Sequence, residues 1–117
     1  MTEDTRLLEI VNEQLSSVSF VHDYIEFQFH EKIIRAFTLP FLRYDGKQIR
    51  YPENGSRDDL CSLIGCTANY VAIVANEEIK IGLSNNKELI IPLANAHAGI
   101  LEAMHYVPGA NRPIEIW

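Results

Sequence analysis

The sequence has few of the residues, and none of the motifs, on which common catalytic and metal-binding sites are built. Its 117 residues include only two cysteines, Cys61 and Cys66, and no CxxC pair. A structural zinc site needs about four nitrogen or sulfur ligands at suitable spacing. Glycine-rich nucleotide loops, HExxH and GxSxG are also missing from the sequence. We therefore expect no metal, no cofactor and no catalytic residues.

Long apolar runs are also lacking. No run approaches the roughly 18 apolar residues of a membrane-spanning helix. The first ten residues, MTEDTRLLEI, begin with acids and lack the basic start and long apolar core of a secretory signal. We therefore expect a cytoplasmic protein that does not enter a membrane. The length and the 47% content of hydrophobic residues fit a single domain over residues 1–117.

Positive charge is scarce and concentrated in the middle of the chain. The net charge is −6, with 16 acidic against 10 basic residues. Residues 32–57 hold six of the bases and two of the acids, so the segments on either side are strongly acidic. A net negative chain repels phosphate backbones, which argues against nucleic-acid binding. The same charge favours a protein partner of basic character.

Two segments, 15–40 and 68–93, share one order of sequence features. Each has a short apolar run, a polar break, an alternating run, a second break and a third apolar run near a proline. Alternation indicates strands with one apolar face turned towards the core. The six apolar residues of the alternating runs are Ile25, Phe27, Phe29, Ile79, Ile81 and Leu83. The pattern predicts two antiparallel three-stranded meanders and raises the hypothesis of an internal duplication.

Helices are predicted before each meander and near the C-terminus. Apolar residues at helical spacing predict a helix over 3–14 and another over 96–105. Ser56, followed three positions later by an acid, predicts the N-cap of a short helix before the second meander. Asp45-Gly46 predicts a tight hairpin turn between the two meanders. The predicted fold class is α+β, with two helix-plus-meander units, a C-terminal helix and a final strand.

Candidate partner-binding residues are acids expected on the surface and aromatic residues suited to interfaces. Glu9 and Glu13 would share a face of the first helix, and Glu77 and Glu78 lie between two predicted strands. The full set comprises Glu9, Glu13, Glu77, Glu78, Tyr44, Tyr51 and Trp117.

An alternative site lies near the C-terminus. Glu102 and His105, spaced i and i+3 on the predicted helix, would bind one metal ion or form an acid–base couple, with Tyr106 beside them. One such pair falls short of a di-metal bundle, which needs two pairs and further carboxylates. The alternative function is therefore a small enzyme or a metabolite-binding domain with a pocket at these residues.

Two stretches, LIGCTANYVAIVANEEIKIGL and AMHY with the ending PIEIW, carry a family resemblance. They resemble small uncharacterised bacterial domains, some of which are similar to toxin-immunity proteins. The resemblance implies a non-catalytic protein-binding module that neutralises a basic partner such as a nuclease toxin. Because meanders leave exposed strand edges, we also expect a homodimer.

Overall fold

A computed structural model describes residues 5–93 and 102–117. In chain order its ten strands are β1 Ser17–Val21, β2 Tyr24–Phe29, β3 Lys32–Ala36, β4 Phe41–Tyr44, β5 Lys47–Arg50, β6 Ala68–Val74, β7 Glu78–Leu83, β8 Glu88–Pro92, β9 Met104–Val107 and β10 Glu115–Ile116. A short 3-10 helix, Leu7–Ile10, precedes β1, and one α-helix, α1, Ser56–Cys61, precedes β6.

The strands form two five-stranded antiparallel sheets that exchange hairpins between the two halves of the chain. The first sheet has the order β1-β2-β3-β9-β10, and the second has the order β5-β4-β8-β7-β6. The two meanders are therefore present, but the β4–β5 hairpin that follows the first meander joins the second sheet. Strands β9 and β10, which follow the second meander in the chain, join the first sheet.

The inward faces of both sheets contribute to one hydrophobic core. Phe27 of β2 lies between Val18 of β1 and Ile34 of β3, and its side chain is fully buried. All six residues of the two predicted apolar triplets are buried, so the predicted strand register is confirmed. Polar residues alternate with them along β2 and face outward, as the period of two requires.

The α+β prediction is wrong, because strands account for most of the regular structure. In place of a helix over 3–14, the described part of that segment has only the four-residue 3-10 helix. Asn12 has a left-handed φ of 76°, and its N–H donates to the carbonyl of Ala68. The N–H of Leu15 likewise donates to Cys66. These bonds to a distant segment replace the bonds that a continuing helix would need.

The C-terminal helix prediction is wrong where the structure can test it. Residues 96–101 lie outside the described part of the chain, but Met104 and His105, both within the predicted helix, belong to β9. From Met104 to Val107, buried and half-buried residues alternate, which is the period of a strand. The predicted final strand is present as β10.

The two turn and cap predictions had different outcomes. Asp45 and Gly46 both have positive φ, 53° and 75°, as the predicted tight hairpin requires. Ser56 is the first residue of α1, not its N-cap, which is Gly55 at a φ of 83°.

Within the described residues, no helix is long and apolar enough to cross a membrane.

Candidate functional site

A cleft of about 310 Å³ opens at one end of the second sheet. It lies where the β4–β5 turn, the β7–β8 turn and the beginning of β6 meet. Its lining residues are Arg43, Tyr44, Asp45, Asn69, Tyr70, Gly82, Leu83, Asn86, Lys87 and Glu88. Ligand sites are usually concave and hold a few convergent polar groups, and this cleft is more polar than most of them.

The position of Tyr70 depends on an irregularity in β6 and on a glycine in β7. The pairing of β6 with β7 shifts register between Ala68 and Tyr70, so that Asn69 is an extra residue. The Tyr70 ring lies over Gly82, its cross-strand partner. A Cβ atom on Gly82 would be 1.9 Å from Cε2 of that ring. Glycine is therefore required at position 82 for the ring to occupy this place.

A row of cross-strand neighbours lines the cleft. Arg43, Glu88, Gly82 and Tyr70 are successive cross-strand neighbours on β4, β8, β7 and β6. The Tyr70 hydroxyl donates a hydrogen bond to the carboxylate of Glu88, and Nη1 of Arg43 is 3.6 Å from the other oxygen of that carboxylate. The hydrogen bond to Glu88, with burial, raises the pKa of Tyr70 to about 12.

The rim of the cleft carries a second tyrosine and a second cation. Tyr44, at the end of β4, is 41% exposed, and Nζ of Lys87 is 5.3 Å from the centre of its ring. Asp45 adds a carboxylate from the β4–β5 turn, and Asn86 adds an amide from the β7–β8 turn. Two cationic and two anionic side chains therefore line the cleft, so its formal charge is balanced.

The alternative pocket predicted near the C-terminus is divided by the sheet. Nε2 of His105 and Oε1 of Glu102 are 2.7 Å apart, and the His105 ring meets the Phe37 ring edge to face with centroids 4.7 Å apart. Tyr106 is the next residue along β9, so its side chain lies on the opposite face, where it is fully buried. The structure therefore brings Glu102 and His105 together without Tyr106.

Glu9 lies in a network on the other side of that sheet. Its carboxylate accepts hydrogen bonds from Nη1 and Nη2 of Arg112, at 2.6 and 2.9 Å, and from the Tyr106 hydroxyl at 3.1 Å. The hydrogen bond from Arg112 lowers the pKa of Glu9. Burial and the bond to Glu9 raise the pKa of Tyr106. This network ties the N-terminal 3-10 helix to the segment between β9 and β10, which gives Glu9 a structural role.

The other predicted partner-binding acids are exposed to different degrees. Glu13 lies beyond the 3-10 helix and accepts a hydrogen bond from Nζ of Lys32 at 3.1 Å. Oε2 of Glu78 lies 3.9 Å from Nζ of Lys80. Glu77 is exposed in the turn between β6 and β7. Of these acids, Glu77 is therefore the most accessible to a partner.

The predicted aromatic residues also occupy different environments. Tyr51 is half-buried, and its ring stacks on that of Phe20 with centroids 5.7 Å apart. Trp117 packs against the core from the C-terminus. Tyr44 alone among the three lies on the cleft. The sequence interpretation missed Tyr70, although Gly82 inside an alternating strand is a recognised sign of a close approach.

Within residues 5–93 and 102–117, no group of three or more histidine, cysteine or acidic side chains is arranged to hold a metal ion. Comparison with known proteins adds no relative to this description. No protein-family model, curated protein or solved structure matches the chain.

Proposed function

We propose that this chain is a non-catalytic binding module and that the cleft of the second sheet is its recognition site. The observation that carries the proposal is the exposure of Tyr44 and Tyr70, 41% and 43%, on a concave and otherwise polar surface. Tyrosine supplies a large contact area with few rotatable bonds and is enriched at binding hot spots. The hydrogen bond to Glu88 and the packing over Gly82 hold the Tyr70 ring in position before a ligand arrives.

The chemistry of the cleft supports binding better than catalysis. A tyrosine that acts as a general base or as a nucleophile must lose its proton close to the working pH. The pKa of Tyr70 is raised to about 12, so its phenol stays protonated at neutral pH. The Glu88 carboxylate already accepts the Tyr70 hydrogen bond and faces Arg43. Both groups are thus arranged to fix one another in place.

A thermal-shift screen would test this proposal. Wild-type protein and Tyr70→Ala would be mixed separately with neutral sugars, nucleosides, amino acids and basic peptides. A ligand that binds the folded state raises the melting temperature by mass action. We expect at least one class to stabilise the wild type and to leave Tyr70→Ala unchanged. Equal stabilisation of both proteins, or of neither, would contradict a recognition site at the cleft.

A second candidate function is docking of a basic protein, as the resemblance to immunity proteins suggests. The net charge of −6 and the exposed Glu77 favour it. The proposal is weakened for Glu9 and Glu13, whose carboxylates are engaged within the chain. With a cationic ribonuclease as the probe, Glu77→Lys should slow association at low salt, and the effect should shrink as salt rises. An association rate unchanged by this charge reversal would count against docking at that turn.

A homodimer and a cytoplasmic location remain predictions. The edge strand β6 is seven residues long and carries no charged side chain, a combination that favours pairing with another chain. Sedimentation velocity at high micromolar concentration would test the dimer, and a purely monomeric distribution would contradict it.

A further inference from the structure

We propose that the cleft of the second sheet binds an uncharged saccharide unit. This inference rests on the proposed function, since it names the ligand class of the same site. Three properties of the cleft support it: balanced charge, mixed hydrogen-bonding groups and a fixed aromatic ring.

Charge balance disfavours an ionic ligand. An anion that approached Arg43 and Lys87 would also be repelled by the nearby carboxylates of Asp45 and Glu88. A cation that approached those carboxylates would in turn be repelled by the two basic side chains. A charged ligand also loses hydration on entering a cleft and needs an opposing group that is free to pair with it. Glu88 is already engaged by Tyr70 and faces Arg43. An uncharged polar ligand avoids both the repulsion by like charges and the loss of ionic hydration.

The hydrogen-bonding groups suit hydroxyls, each of which donates one hydrogen bond and accepts others. Arg43 and Lys87 are donors only, and the carboxylates of Asp45 and Glu88 are acceptors only. The amides of Asn69 and Asn86 provide both kinds of group. Neighbouring hydroxyls on a sugar ring can therefore find a donor and an acceptor side by side. A ligand that only accepted or only donated would leave part of the lining unpaired.

Tyr70 supplies the apolar contact that a sugar ring also needs. Its Cε2, Cδ2 and Cζ atoms all lie close to the Cβ position of Gly82, so the ring covers the backbone there. Because 43% of the residue remains exposed, part of the ring is available to a ligand. The C–H groups on one side of a pyranose ring are apolar and gain from burial against an aromatic surface.

The dimensions of the cleft agree with a small saccharide. A volume of about 310 Å³ lies at the lower end of the range for ligand pockets, roughly 300–1,000 Å³. The cleft is therefore suited to a mono- or disaccharide, or to the terminal unit of a longer glycan.

Titrations followed by NMR would test the inference on the full chain. The probes are glucose, galactose, N-acetylglucosamine, maltose and cellobiose, with adenine, glutamate and a lysine-rich peptide as comparison ligands. We expect a neutral sugar to shift the amide signals of Asn69, Tyr70 and Asn86. Tyr70→Ala should weaken binding at least about tenfold, equivalent to about 1.4 kcal/mol.

Two further variants separate a loss of the ring from a loss of folding. Tyr70→Phe keeps the ring and should retain most of the affinity for the sugar. Tyr24→Ala removes a half-buried tyrosine from the other sheet and should leave sugar binding unchanged. If Tyr70→Ala were unfolded, a loss of most of the sugar affinity in Tyr70→Phe, which keeps the ring, would still overturn the role given to the aromatic ring, provided that Tyr24→Ala bound the sugar as the wild type does.

The outcomes also separate this inference from the proposed function. If adenine, glutamate or the peptide shifted the cleft signals and no sugar did, the saccharide inference would be overturned and the binding module would stand. If none of the probes shifted those signals at millimolar concentration, and the broader thermal screen also found no cleft-dependent ligand, both proposals would be overturned.

Discussion

The contact between Tyr70 and Gly82 allows a prediction in which one substitution has opposite effects in two backgrounds. In the wild type, Gly82→Ala would place a methyl group 1.9 Å from Cε2 of Tyr70, so the ring must turn aside. In Tyr70→Ala the ring is gone, and the methyl group has room. Gly82 does not require a left-handed φ, so alanine is compatible with its backbone.

The destabilisation of the wild type by Gly82→Ala follows from the contacts that the Tyr70 ring loses. When the ring turns aside, it gives up its packing on β7 and its hydrogen bond to the Glu88 carboxylate. A hydrogen bond to a charged group contributes roughly 1.5–3 kcal/mol, and solvent reduces this at a half-exposed site. We therefore expect Gly82→Ala to destabilise the wild type by about 1–2 kcal/mol, the lower part of the overpacking range.

In the Tyr70→Ala background, Gly82→Ala should instead raise the free energy of unfolding. Alanine is more favourable than glycine inside a strand by roughly 0.5–1 kcal/mol, because the unfolded chain loses less freedom. The coupling energy between the two positions is therefore roughly 1.5–3 kcal/mol. Urea unfolding of the four proteins in this double-mutant cycle, followed by fluorescence of Trp117, measures it directly.

Two results would refute the reasoning. If Gly82→Ala had the same effect with and without the Tyr70 ring, the ring would not lie over β7. If the coupling were present but the pKa of Tyr70 in Gly82→Ala stayed at about 12, the hydrogen bond to Glu88 would survive the displacement. Ultraviolet titration of the phenol provides that second measurement, and its value should fall towards 10.0.

Three other predictions concern the core and the ionised groups. Phe27→Ala should lower the free energy of unfolding by about 3–5 kcal/mol, because its side chain is fully buried; an unchanged urea midpoint would contradict the strand register. Glu9→Gln should cost about 1 kcal/mol at pH 7, since Arg112 loses a charged partner. Because the pKa of Glu9 is lowered in the folded protein, the stabilisation by its ion pair is present above a pH of about 4.5 and is lost as the pH falls through the pKa of folded Glu9. The unfolding free energies of wild type and Glu9→Gln should therefore become equal in acid. A difference between them that did not change with pH would contradict the ion pair. Tyr70→Phe should remove one phenol titrating at about 12, and loss of a phenol titrating near 10 instead would contradict its bond to Glu88.

Local patterns in the sequence determined the parts of the fold that were predicted correctly. The alternation around Phe27 and Ile81 fixes which side chains are inward, because a strand has a period of two whatever its neighbours are. The Asp45-Gly46 turn was equally local, since its two positive φ angles depend on those residues alone. Both features could be predicted without knowing which strands would pair.

The incorrect predictions required information about distant contacts. Leucines at helical spacing near the N-terminus are compatible with an α-helix and also with a short 3-10 helix. The hydrogen bond from the N–H of Asn12 to the carbonyl of Ala68 favours the shorter one, because it ends the helix there. Met104 and Tyr106 were assigned by their apolar neighbours to a helix or its end, whereas pairing with β3 makes them part of a strand. Tertiary contacts commonly override weak local preferences in this way.

The candidate site was missed for the same reason. Tyr44 was recognised as an exposed aromatic residue, but Tyr70 and Glu88 are 18 positions apart and meet only through the pairing of β6, β7 and β8. No short motif contains them both. Glycine at position 82 was the one local sign, and it has a meaning only once the residue opposite it on β6 is known.

The exchange of hairpins accounts for both the fold and the cleft. Arg43, Tyr44 and Asp45 come from the β4–β5 hairpin of the first half, and the other lining residues come from the second half. They meet because β4 pairs with β8, which places Arg43 opposite Glu88. Had the hairpin remained beside β3, the two tyrosines would lie on different sheets and the charges of the cleft would be separated. The feature that local sequence patterns could not reveal is therefore the one that creates the candidate binding site.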